Sequence, residues 1–108
     1  MTLDTSRPGS RPERLTAHEA RQRLEHERNS RLAQLDALED AATEPSDPFV
    51  AAQKDSVRRV LDEIDAAFAR VADGSYGTCG RCLKPVPAER LEILPYVRCC
   101  VACVRRDG

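Results

Sequence analysis

Apolar residues recur at helical spacing over two long stretches of this chain. Leu24, Leu32, Leu35, Leu38 and Ala42 mark the first, and Val50, Val57, Val60, Leu61, Ile64, Phe68 and Val71 mark the second. Arg28 and Arg31 interrupt the first stripe, which predicts a narrow seam lined in part by arginine stems. Thr16-Ala17-His18-Glu19 has the form of a capping box, so the first helix is placed from there to about Ala42. Pro45 cannot continue it without losing a backbone hydrogen bond. Asp47-Pro48 then restarts a helix, with Asp as N-cap and Pro in the first helical position. Asp73-Gly74 ends it, because Gly suits the left-handed residue after a helix. Each helix is predicted to run about 26–28 residues, or roughly 40 Å at 1.5 Å per residue. The turn between them is short, so they run antiparallel. Residues 16–73 are therefore read as an antiparallel coiled-coil hairpin with its tip near 43–50.

Composition agrees with long solvated helices rather than a large core. Of 108 residues, 32% are charged and 4% aromatic, and there is no Trp. The charge is uneven along the hairpin. Asp36, Glu39, Asp40, Glu44, Asp47 and Asp55 face only Lys54 between positions 36 and 55, so the tip is acidic. The formal net charge of −1 gives no reason to expect wholesale binding to nucleic acid or to a membrane surface. No apolar run is long enough to cross a bilayer, and the start of the chain lacks the features of a signal peptide, so a cytoplasmic protein is expected. Residues 1–15, with two prolines, a glycine and three arginines, are read as a disordered arm.

The five cysteines carry the chemistry. Cys79-Gly80-Arg81-Cys82 is followed after seventeen residues by Cys100-Val101-Ala102-Cys103. Two C-x-x-C pairs at this separation point to zinc. A two-residue gap bends each pair into a knuckle whose sulfurs converge. Two knuckles then complete a tetrahedron with Zn–S distances of about 2.3 Å. Four thiolates leave no position for water, so the expected ion is a single structural Zn2+. Residues 74–108 are read as a small zinc-finger domain, too short to fold on apolar burial alone. A redox C-x-x-C would sit beside a β-α-β pattern, which is absent, and disulfides need an oxidising compartment. Cys99 is the spare cysteine: either a small apolar neighbour of the site or a candidate redox thiol. Pro87 to Glu92 reads as one or two helical turns. Ile93, Leu94, Tyr96 and Val97 are expected to cover the zinc site, and Arg105 and Arg106 form a short basic end.

Asp73-Gly74-Ser75-Tyr76-Gly77-Thr78-Cys79-Gly80-Arg81-Cys82, then Val86 to Glu92, then Cys100 to Cys103, behind a hairpin with an Asp47-Pro48 tip, resemble the DksA/TraR family. These are four-cysteine zinc-finger regulators that bind RNA polymerase. The resemblance covers roughly residues 16–106. It implies a head made of the finger and the hairpin base, and a hairpin that enters the secondary channel of bacterial RNA polymerase. The acidic tip would there change open-complex stability without reading any DNA sequence. It carries zinc ligation onto Cys79, Cys82, Cys100 and Cys103, and polymerase contact onto the tip at Glu44, Asp47 and Pro48. The family's tip pattern is Asp-Pro-x-Asp, and Val50 stands here at the fourth position. The second helix also falls about three turns short of the longer members, or roughly 16 Å of reach. Family precedent implies a monomer.

Two other functions fit parts of the sequence. Arg81, Lys84, Arg90, Arg98, Arg105 and Arg106 could make the finger a zinc-ribbon module that contacts nucleic acid directly. Glu89 and Glu92 intervene, however, and aromatic residues for base stacking are lacking. Cys99 beside Cys100 could instead make a zinc- or thiol-responsive adaptor. An enzyme is not expected: His18 and His26 are eight residues apart, too far for an i,i+4 metal pair, and no nucleophile set or phosphate loop can be assembled.

Overall fold

In the computed structural model the described residues are 15–41 and 47–107. They form four helices: α1 (Ala17–Ala41), α2 (Pro48–Asp73), α3 (Ala88–Ile93) and α4 (Val101–Asp107). The only sheet-like pairing among them is an isolated antiparallel bridge between Thr78 and Pro85.

The ends of the long helices are set locally. The Thr16 amide donates to Glu19 Oε1 at 3.0 Å, and the Glu19 amide donates to Thr16 Oγ1 at 3.1 Å, so two otherwise orphaned donors are satisfied reciprocally. Asp47 caps α2 by accepting from the Phe49 amide at 2.9 Å, with Pro48 next in line. Gly74 ends α2 at φ 87°, and the following amides of Ser75 and Tyr76 turn back onto the Arg70 carbonyl at 3.0 and 3.1 Å.

α1 and α2 pack antiparallel. Ion pairs cross the hairpin from Arg28 to Asp65 and, nearer its far end, from Arg58 to Glu39 at 3.5 Å. The tight packing is concentrated at the base, where Ala20, Leu24, Ile64, Ala67 and Val71 are buried together. Farther out on the hairpin Val57 is the buried residue among those described. The seam on α1 continues through Leu35 and Leu38, both half-buried. Between them and Leu24 it passes over half-buried Glu27 and Arg31, which pair with each other at 3.1 Å. Leu32, expected in the seam, is instead 41% exposed. Eight residues on from Leu24 is about 80° around the helix, so Leu32 lies beside the stripe.

Beyond α2 a second cluster forms around Cys79, Val86, Leu91 and Cys103. Tyr76 packs against both clusters, and its hydroxyl donates to the Pro95 carbonyl at 2.7 Å. Arg70 also reaches across, to the Tyr96 carbonyl at 3.4 Å. Burial, with Arg98 nearby, lowers the pKa of Arg70 from its usual range. Leu15, assigned to the arm from sequence, packs on the cysteine cluster, and the rest of that arm lies outside the described residues.

Candidate functional site

The first knuckle is built by a tight reversal. Gly77 at φ 86° turns the chain into the segment carrying Cys79. The Val86 amide donates to the Gly77 carbonyl and the Cys79 amide to the Lys84 carbonyl, both at 2.8 Å. The Leu83 amide closes the turn on the Cys79 carbonyl at 3.1 Å, and Leu83 itself takes φ 66°. The second knuckle lies at the start of α4: the Val104 amide donates to the Cys100 carbonyl at 3.0 Å, and Cys103 follows on the first turn. A bond from the Gly80 amide to the Arg98 carbonyl, at 2.8 Å, joins the two.

This brings the Sγ atoms of Cys79, Cys82, Cys100 and Cys103 within 4.8 Å of one another. Cys79 and Cys103 are buried, and Cys82 and Cys100 are half-buried. The Cys82 and Cys100 sulfurs are 3.7 Å apart. In a tetrahedron with bonds of about 2.3 Å the sulfurs stand about 3.8 Å apart, so the donor set fits a thiophilic cation of zinc's size. None of the five cysteines is in a disulfide.

The electrostatics of the four thiols differ. Hydrogen bonds from the amides of Cys82, Cys100 and Arg81 bring the Cys79 pKa down to about 5. The Cys103 amide likewise lowers that of Cys100. Burial, reinforced by the neighbouring sulfurs, pushes the Cys103 thiol up to about 12. The cluster thus favours thiolate at Cys79 and opposes it at Cys103. A dication held by the four sulfurs would supply the charge that lets all four ionise together.

Cys99 is half-buried against this cluster, and its carbonyl accepts from Arg90 Nε at 3.4 Å. Its sulfur does not belong to the four-sulfur group. Of the residues expected to cover the cysteines, Val97 does so, whereas Tyr96 packs on the hairpin cluster. Ile93 is 76% exposed. It is two residues past buried Leu91, about 200° around α3, and faces outward. Val86 and Leu91 fill the place assigned to it. α4 itself carries Cys103 and includes the arginines read as a basic end.

At the other end of α2, Asp47 and Pro48 stand together in the capped first turn. Glu44 lies outside the described residues. Phe49, not singled out in the sequence, is 70% exposed there. Sequence reading also missed a cleft of about 500 Å³ where α1 meets the finger, lined by residues including Arg23, His26, Glu27 and Glu92. An ion pair from Arg23 to Glu92, at 3.8 Å, spans it. No described helix is long and apolar enough to cross a membrane.

No family model matches the chain. Among curated proteins it is 40% identical over 45 residues to general stress protein 16O of Bacillus subtilis, a match covering 42% of this chain and 28% of that protein. It is 31% identical over 77 residues to the RNA polymerase-binding transcription factor DksA of Caulobacter vibrioides, covering 71% of this chain and 54% of that protein. The chain belongs to the DksA/TraR family. The matched segments span about half, or less, of the length of these family relatives. Among solved structures, transcription factor DksA2 from Pseudomonas aeruginosa aligns at a TM-score of 0.47 with 26% identity, covering 84% of this chain and 76% of that one.

Proposed function

We propose that this protein is a zinc-bearing transcription regulator that binds bacterial RNA polymerase and reads no DNA sequence. Cys79, Cys82, Cys100 and Cys103 would hold one structural Zn2+. In this reading residues 74–108 form a head on the base of the 16–73 hairpin, and the hairpin enters the secondary channel with Glu44, Asp47 and Pro48 at its leading end. The protein would act in the cytoplasm as a monomer. The observation that carries the proposal is the pairing of a four-sulfur cluster with a two-helix hairpin, in a chain related to an RNA polymerase-binding factor. A closed four-sulfur shell has no place for an activated water, which supports a structural rather than a catalytic metal.

The test is binding of the zinc-loaded chain to core polymerase, with and without a ligand that blocks the secondary channel. Loss of binding to the competitor is the expected result, and no binding at micromolar concentration would sink the proposal. An Asp47→Ala variant separates docking from later action: either its affinity falls, or affinity holds and transcription changes. Exposed Arg81, Lys84, Arg98 and Arg105 on the finger support a second reading, direct contact with nucleic acid. That reading requires affinity for DNA or RNA that falls steeply with salt.

A further inference from the structure

The chain has four aromatic residues, two Phe and two Tyr. Phe68, Tyr76 and Tyr96 pack against the buried clusters. Phe49 is instead 70% exposed, in the first turn of α2 at the opposite end from the finger. Its backbone is held in place from both sides. Its amide is bound by the Asp47 carboxylate at 2.9 Å, and the Ala51 amide bonds the Asp47 carbonyl at 3.0 Å. Pro48 fixes the torsion between them. A ring on such a turn has only two side-chain torsions left to freeze on binding, so it loses little entropy.

The surroundings define what the ring can meet. α1 brings Glu39 and exposed Asp40 to this end, and α2 brings Asp47 and Asp55. Arg58 is shared between Glu39 and Asp55, at 3.5 and 3.6 Å, and together with Lys54 it offsets only part of this charge, so the end stays acidic. One oxygen of Asp47 is already engaged as the cap. Val50, where the resemblance leads one to expect a second carboxylate, is half-buried and apolar. Recognition at this end therefore combines an apolar projection with a negative surround.

We propose that Phe49 is the anchor of the hairpin end, and that its ring enters an apolar pocket with a cationic rim on RNA polymerase. This rests on the polymerase reading above. Aromatic residues, Phe among them, are enriched at protein interfaces, where a few well-packed side chains carry most of the binding energy.

The experiment compares the full-length zinc-loaded chain with Phe49→Ala and Phe49→Leu for binding to core polymerase. Circular dichroism and zinc content serve as fold controls, and light scattering reports self-association. The expected result is a loss of roughly 30-fold in affinity for Phe49→Ala, with Phe49→Leu in between and both controls unchanged. If the parent chain binds and Phe49→Ala binds within about twofold of it, the anchor is overturned and the polymerase reading stands. If the parent chain does not bind, both fall together. If the parent chain self-associates and Phe49→Ala abolishes this, the ring is covered by a second copy and the proposal is overturned.

Discussion

Single residues at the sulfur cluster differ in what their loss should do. Cys79 sits where three amides favour its thiolate, and Cys103 is buried among sulfurs, so both belong to the donor set. Cys99 packs on the cluster without joining the four sulfurs. Cys79→Ser and Cys103→Ser should each abolish stoichiometric zinc, while Cys99→Ser should keep one zinc per chain. Elemental analysis after gel filtration reads this directly, and zinc loss in Cys99→Ser would mean the ligand set is wrongly drawn. In the hairpin base Leu24 is fully buried, and truncation to Ala should cost about 2–5 kcal/mol. Leu32→Ala should cost no more than about 0.5 kcal/mol, because that side chain stands beside the seam. Urea unfolding of the two variants checks the difference.

At the scale of the helix, the ends carry their own tests. The Glu19 carboxyl is held below its usual range, chiefly by hydrogen bonds from Thr16, backbone first and then side chain. A carboxyl whose folded pKa is depressed adds stability above its unfolded value, near 4.5, and loses it as pH falls through the folded value. The start of α1 should therefore fray in acid below about pH 4.5, and Thr16→Ala/Glu19→Ala should show the same fraying at neutral pH. Amide exchange of residues 19–23 reports both, and equal protection in the double variant at neutral pH would show that the box does not hold the helix. These ends were legible in sequence because a cap is a contact between residues two to four apart. The knuckle spacing was legible for the same reason. What failed depended on a partner surface. Leu32 and Ile93 look like core by hydrophobicity, yet the rotation of each helix turns them outward. Ala20 and Ala67 are fully buried where the helices meet closely, and an alanine carries no sequence signal of that closeness. α4 is too short for a periodicity to show, and it is fixed by its cysteine instead of an apolar stripe.

Across the whole molecule, the hairpin and the finger share residues rather than touching as finished units. Tyr76 belongs to both apolar clusters and binds the Pro95 carbonyl, Arg70 binds the Tyr96 carbonyl, and Arg23 pairs with Glu92. The energies decide which part depends on the other. Val86 and Leu91 are the large apolar side chains fully buried in the finger, worth about 1.5–3 kcal/mol each. Zinc in small zinc-finger peptides contributes on the order of 10–16 kcal/mol at neutral pH, so on the proposed four-thiolate site it would outweigh these side chains. Chelation should therefore unfold residues 76–105, and the loss should spread into the hairpin base. Tyr76 and Tyr96 would leave the cluster of Leu24, Ile64, Ala67 and Val71, so amides of 64–73 should lose protection while those of 50–57 change little. Hydrogen exchange with and without chelator, followed by mass spectrometry, resolves the two segments. Unchanged protection across 76–105 after complete metal removal would show that apolar packing alone holds the finger. Loss confined to the finger, with 64–73 untouched, would show that the hairpin stands independently and that the Tyr76 contacts couple nothing.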